Sequence, residues 1–297
     1  MSLSYLTLMF TKKAIKTFLD EFIIAGLAED VGDGDHTSLA CIPSTNTNKA
    51  KLLCKADGVI AGIEVAKQIF AASPTKMKMK FYKKDGDNVK KGDIAFTVQG
   101  SSQELLKRER LALNAMQRMS GIATMSRKYA DVVSDLPVQI LDTRKTTPLL
   151  RFLEKWAVSI GGATNYRYGL FDRIMIKDNH IDACGSITNA LNSVQTYFKK
   201  RKKTLPITLE IRDFDELDEA LAVGTMDRIM LDNFSVPRLR RAVKIINGQF
   251  ETEASGGITY RKLRKVAETG VDYISVGALT HSFISLDMSL KVMDDNG

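Results

Sequence analysis

The chain has 297 residues, 44% hydrophobic and 26% charged, with a formal net charge of +8 and a pI of about 9.2. That profile fits a globular protein of one or two domains with a sizeable core and excludes a disordered chain. Three cysteines, Cys41, Cys54 and Cys184, match neither a disulfide framework nor a metal-ligand spacing. No apolar run reaches the ~18 residues of a membrane span, and the first residues lack a secretory pattern, so the expectation is a cytoplasmic protein with reduced thiols and no membrane partner.

Met9 is a second candidate start, which leaves residues 1–8 either native or appended. From Lys12 to Leu27, Ile15, Phe18, Leu19, Phe22 and Ile23 fall on one helical face. Asp30 to Asp35 (DVGDGD) carries turn chemistry. Strand-like segments follow at Ala50–Lys55, Val59–Ala61, Met77–Tyr82 and Ile94–Gln99, with a tight turn from Asp85 to Asp93 between the last two. Gln103 to Asp131 reads as one long helix, with Arg110, Asn114, Gln117 and Gly121 along a polar stripe. This helix is the bridge to the second part of the chain.

The second part alternates short β-rich runs with helices. The runs are Val138–Leu141, Arg173–Ile176, Ile207–Ile211, Arg228–Leu231, Phe250–Ala254 and Tyr273–Val276. Ser186, Ser235 (with Pro237 behind it) and Thr259 are helix-start signals, and Gly270 is a stop. Such alternation means βα units and a parallel sheet. Six strands are countable, and a seventh is placed near the Leu149–Ile160 helix, which favours an incomplete barrel. No Gly-x-Gly-x-x-Gly opens a helix after the first strand, so dinucleotide binding loses its main support.

Chemistry collects where these runs end. Asp142, Arg144 and Lys145 follow the first; Lys177, Asp178, Asn179 and His180 the second. Glu210 and Arg212 mark the third, Asp232 and Asn233 the fourth. Ser255-Gly256-Gly257 and Ser275-Val276-Gly277 close the last two. One charged residue at a strand end is ordinarily a solvated edge, but in a parallel barrel all these ends meet on one face, where active sites are built. The small-residue turns let backbone N–H groups approach an anion. Dispersed cations with two acids imply a substrate carrying several negative charges and hydroxyls. The densest basic run, Lys199–Lys203, reads as a solvated helix end, so no nucleic-acid partner is expected.

The segment Leu141 to Ile181 (LDTRKTTPLLRFLEKWAVSIGGATNYRYGLFDRIMIKDNHI) resembles the signature of quinolinate phosphoribosyltransferases. The resemblance extends over nearly the whole chain. It takes in EDVGDGDHTS (Glu29–Ser38), RERLALNAMQRMSGIAT (Arg108–Thr124), IMLDN (Ile229–Asn233), EASGGI (Glu253–Ile258) and ISVGALTHS (Ile274–Ser282). It implies an α/β fold: an N-terminal α/β sandwich domain (residues 9–121 with 285–297) and an open parallel α/β barrel of about seven strands (122–284). The implied reaction joins quinolinate to phosphoribosyl pyrophosphate and releases CO2, with Mg2+, in a homodimer whose active sites are shared. By the same resemblance, Arg144, Arg167 and Lys177 hold the two carboxylates, Tyr166 lines the site, and Arg110 enters from the partner subunit. Lys145 faces the pyrophosphate. Glu210 and Asp232 bind ribose hydroxyls or the Mg2+ on the pyrophosphate. Ser255, Gly256, Gly257, Ser275, Val276 and Gly277 cradle the 5-phosphate. Lys145, Lys177, Glu210 and Asp232 are the residues closest to the chemistry.

Two places depart from the family pattern. Its histidine before the arginine is Tyr166 here, which donates a hydrogen bond but is neutral near pH 7. Its glycine after Thr-Thr-Pro is Leu149, and a third glycine is replaced at Ala163 or Thr164. The alternatives are a related transferase of the same fold with another anionic acceptor, and a non-catalytic nucleic-acid-binding protein.

Overall fold

The computed structural model describes residues 9–293; the question of residues 1–8 lies outside them, as does the end of the 285–297 segment. The chain divides into two compact units. The first comprises the residues through Arg127, Thr146–Gly162 and those from Leu279 on; the second is Lys128–Lys145 and Ala163–Ala278. The first contains β1 (Thr47–Cys54), β2 (Gly58–Val59), β3 (Lys78–Phe81), β4 (Asn88–Val89) and β5 (Ile94–Ser101). The second contains β6 (Gln139–Leu141), β7 (Ile174–Ile176), β8 (Ile207–Ile211), β9 (Arg228–Asp232), β10 (Glu251–Ser255) and β11 (Tyr273–Ser275). The last strand, β12 (Met288–Val292), returns to the first unit.

In the first unit an antiparallel sheet has the order β12-β1-β5-β3, and β2 pairs with β4 as a separate ribbon. Alternation in β1 buries Ala50, Leu52 and Cys54, and burial raises the Cys54 thiol to about 11. The helix Ile63–Ala71 contributes Val65, Ala66, Ile69 and Phe70 to the core, and Phe70 meets Phe96 of β5 edge-on. Arg108 is buried and donates to the carbonyls of Ile69 and Ala72, serving the orphan acceptors at that helix's C-terminal end. The first helix spans Lys12–Val31, with Thr11 as its cap, and Phe18 stacks on Phe152 at 4.2 Å. The DVGDGD stretch is a turn, as its composition implies, but it also starts a short helix, His36–Cys41. Asp35 makes that start by accepting from the Ser38 N–H and hydroxyl.

The second unit is an all-parallel six-stranded sheet in the order β6-β11-β10-β9-β8-β7. First and last strands pair, so the sheet wraps as an open barrel with its gap between β6 and β7. The expected seventh strand reduces to one rung. Thr164 donates to the Ile140 carbonyl at 2.8 Å, and the Asp142 N–H donates to Thr164 at 3.1 Å. The next N–H, that of Tyr166, goes instead to the Asp142 carboxylate at 2.7 Å, and the ladder stops. All five residues of β8 and the first four of β9 are buried, as expected of strands covered on both faces. Ser186 caps its helix by accepting from the Asn189 N–H; Ser235 and Thr259 hold N-cap positions without a side-chain bond.

Gly121 stands where another backbone comes close within the first unit. A Cβ there would lie 2.3 Å from the Ile284 carbonyl oxygen. Gly121→Ala is therefore expected to cost about 1–3 kcal/mol, as overpacking against backbone does. A urea midpoint equal to that of the unsubstituted protein would contradict this.

Candidate active site

Parallel pairing sets the rim of the second unit. The register Ile176↔Leu209 brings Lys177, the residue after β7, alongside Glu210 of β8, and Lys177 Nζ donates to the Glu210 carboxylate. Asp232 ends β9 opposite Ser255, which ends β10. Ser275 ends β11 opposite Leu141, and Asp142 follows Leu141. Lys177, Glu210, Asp232, Ser255, Ser275 and Asp142 thus share one end of the sheet, as their sequence positions imply.

Asp142 anchors the segment that carries the cations. Its carboxylate is fully buried and receives the Tyr166 N–H. Arg144 is half-buried and Lys145 exposed two and three residues beyond it. Arg167 directly follows Tyr166. Burial holds the Arg167 guanidinium below its ordinary value, and the charge of neighbouring Arg144 pushes the same way. Two guanidiniums held this near each other favour an anion between them.

The turns after the last two strands differ in what they offer. Gly256 has φ +91°, and a Cβ on it would stand 2.3 Å from Asn233 Oδ1; Gly257 has φ +57° with open space around it. Only glycine fits both demands at 256. The Val276 N–H is committed to the Leu141 carbonyl at 2.9 Å, and its side chain is buried. Val276 therefore ties β11 to β6, while its neighbours Ser275 and Gly277 flank that tie.

Below the rim lies a polar layer that sequence reasoning missed. Glu253 has no solvent exposure, accepts from the Ser275 hydroxyl, and meets Arg228 Nη1 at 3.2 Å. Burial pushes its carboxyl up, against the opposing pull of Ser275, Arg228 and Tyr166. Arg228 also binds Glu251 at 2.8 Å and lies over the Tyr273 ring at 3.6 Å. Tyr166, at 6% exposure, shares a 2.8 Å hydrogen bond with Thr208, beneath Arg228 at 5.1 Å. Arg173 donates to the same Thr208 at 3.0 Å. The one signal available was charged residues within short strands: Glu251 and Glu253, two apart in β10, and Arg228 and Asp232 at the two ends of β9.

Arg110 belongs to the first unit, exposed on the helix Ser102–Val132. Arg212 is held by Asp182 and Glu216 on the surface of the second unit. Among the described residues no group of three or more His, Cys, Asp or Glu could hold a metal by itself.

An open parallel barrel with a cationic rim, two rim carboxylates and small-residue turns after its last two strands defines a class: barrel enzymes acting on small phosphorylated polyanions. Comparison with known proteins narrows it. The model of the quinolinate phosphoribosyl transferase N-terminal domain matches residues 35–120, and that of the C-terminal domain matches 122–291. Quinolinate phosphoribosyltransferase (decarboxylating) 1b of Nicotiana tabacum is 45% identical, over 95% of this chain and 87% of its own length. The chloroplastic nicotinate-nucleotide pyrophosphorylase (carboxylating) of Arabidopsis thaliana is 45% identical over 92% and 82%. A crystal structure of NadC from Streptococcus pyogenes superposes with a TM-score of 0.87 at 37% identity, covering 93% of this chain and 97% of that one. The chain belongs to the quinolinate phosphoribosyltransferase family.

The buried layer gives a contrast in stability. Glu253→Ala leaves Arg228 without its enclosed counter-charge and is expected to cost about 3–5 kcal/mol. Glu251→Ala removes a partner whose side chain is 45% exposed and should cost under about 1 kcal/mol. Equal midpoints for the two variants in chemical denaturation would refute the assignment.

Proposed function

We propose that this chain transfers the phosphoribosyl group of phosphoribosyl pyrophosphate to quinolinate, with decarboxylation to nicotinate mononucleotide, in NAD biosynthesis. The observation that carries this is the rim pair of Lys177 and Glu210, together with an Arg144 near enough to act on the charge of Arg167, in a chain of this family. Quinolinate is a planar dicarboxylate, and guanidinium forks match carboxylates in two-point geometry. In this reading Arg144, Arg167 and Lys177 take the carboxylates, and Lys145, exposed at the mouth, takes the pyrophosphate. Glu210 and Asp232 serve the ribose side. Ser255–Gly257 and Ser275–Gly277 serve the 5-phosphate, with Tyr166 fixing the floor beneath. The ring nitrogen attacks the anomeric carbon as pyrophosphate leaves; the adjacent carboxylate then departs as CO2, its bonding pair staying on the ring carbon beside the pyridinium nitrogen, and that carbon takes a proton from water. The protein's share is positioning and electrostatics; no side chain need act as a nucleophile.

Mg2+ fits the donor set. Glu210 and Asp232 are oxygen ligands on neighbouring strands, and magnesium takes one or two carboxylates together with phosphate oxygens. Bound there, it would neutralise charge on the departing pyrophosphate. A homodimer with shared sites belongs to the same proposal. Its support is Arg110, an arginine exposed on a helix of the first unit, whereas Arg144, Arg167 and Lys177 belong to the second. Residence in the cytoplasm is part of it too, supported by three free thiols. Among the described residues no helix is long and apolar enough to cross a membrane.

Purified protein should release CO2 from carboxyl-labelled quinolinate only when phosphoribosyl pyrophosphate is present; no release would overturn the proposal. Arg144→Ala should weaken quinolinate binding at least about 100-fold, the loss expected when one partner of a charge-assisted pair is removed, with an unchanged circular dichroism spectrum. Inactive Arg110→Ala and Lys177→Ala proteins, unfolded and refolded together, should regain part of the activity if sites are shared. Complete inactivity of the mixture would refute a shared site.

A further inference from the structure

The Lys177–Glu210 ion pair joins two residues that the proposed function assigns to different substrates. Lys177 goes with the quinolinate carboxylates and Glu210 with the ribose side of phosphoribosyl pyrophosphate. In the structure the two hold each other. The two are unlike in their surroundings: the Glu210 side chain is 8% exposed, that of Lys177 42%. The Lys177 backbone is fixed, since its N–H donates to His180 Nδ1 at 3.0 Å at the start of the helix Asp178–Cys184. Its ammonium lies at the end of a four-carbon stem and can turn to another partner. Arg212 is held by Asp182 and Glu216, and Asp232 accepts from the Asn233 amide at 2.6 Å.

We propose that this pair couples the two substrate half-sites, so that binding of either substrate strengthens binding of the other. The inference rests on the substrate assignment above. Quinolinate that takes Lys177 competes with Glu210 for the same single positive charge. A carboxylate so little exposed, once stripped of its cation, is a costly state. Ribose hydroxyls and a cation brought by the second substrate relieve it. Run in the other order, the second substrate takes Glu210 and releases Lys177 to the carboxylates. The separation is needed once, whichever ligand arrives first, and the later ligand binds a residue already released. Such coupling is reciprocal by linkage. Each half-site is thereby weaker alone than its contacts would make it.

The test is calorimetric titration of quinolinate into the unsubstituted protein and into Glu210→Gln, without phosphoribosyl pyrophosphate. Glu210→Gln keeps the side chain's shape and removes the charge that holds Lys177. The expected result is a gain: quinolinate binds Glu210→Gln about tenfold more tightly, within the usual range of coupling between sites. A saturating, unreactive methylene-bisphosphonate analogue of phosphoribosyl pyrophosphate with Mg2+ should tighten quinolinate binding to the unsubstituted protein by the same factor. That tightening should vanish in Glu210→Gln. The mirror variant, Lys177→Gln, should bind the analogue about tenfold more tightly than the unsubstituted protein. It serves as the test if Glu210→Gln unfolds. A merely structural pair would give losses in both variants, and equal or weaker affinities overturn the coupling. If neither the unsubstituted protein nor Glu210→Gln binds quinolinate, the substrate reading fails, and the coupling with it.

Discussion

Everything at the rim depends on the parallel pairing of six strands in one register. Each pairing fixes its neighbour's level: Ile176 with Leu209, Leu209 with Ile229, Ser255 with Asp232, Ser275 with Leu141. A slip of one residue would turn every inward side chain outward, because strand side chains alternate. Lys177 would leave Glu210, and Glu253 would lose Arg228 and Ser275 together. The buried layer works against such a slip. A fully enclosed carboxylate satisfied by β9 on one side and β11 on the other has these partners in one register only. The pairing thus places Glu253, and Glu253 in turn makes any other pairing costly.

Much of this architecture could be read in the sequence. The βα alternation locates the six strands, and the residues after them mark the rim, since both depend on local pattern and on the rule that parallel ends share a face. Contacts set by tertiary pairing could not be read. Thr208, Arg228 and Glu253 are ordinary strand residues until the register shows that they point inward, toward Tyr166. A seventh strand was expected near the Leu149–Ile160 helix, but the Asp142 carboxylate takes the Tyr166 N–H that a longer ladder would use. Side-chain substitution for a backbone acceptor leaves no periodic trace. The helix at His36 was hidden in the same way, its start depending on one aspartate's geometry within a stretch that reads as turn. The grouping of Thr146–Gly162 with the first unit depends on packing, such as Phe152 on Phe18, between residues far apart in the chain.

The positive charge of the chain is spent in two ways that composition cannot separate. Lys199, Lys200, Arg201, Lys202 and Lys203 are all exposed at a helix end, where solvent screens them. Arg144 and Arg167 are fewer but partly buried, and burial first, then the charge of Arg144, lowers Arg167. Field strength at a site follows burial and spacing more than number. The basic run is the louder feature in the sequence, yet the quieter pair is the one placed to bind an anion.

Tyr166 joins these strands of reasoning. A histidine at this position would bring a group that titrates near neutral pH into contact with the floor of the barrel. The tyrosine brings none: burial, and after it the Glu253 charge, push its phenol well above its usual range. It stays neutral wherever the protein is folded, held by Thr208 and by the guanidinium over its ring. The charges of the floor are then Arg228 and Arg173 against Glu253 and Glu251. Of these, Arg228 and Glu253 are the enclosed pair, and burial lifts the Glu253 carboxyl against the pull of Ser275 and Arg228. The tyrosine thus leaves the pair that a ligand must part to the rim above, where Lys177 and Glu210 hold one another.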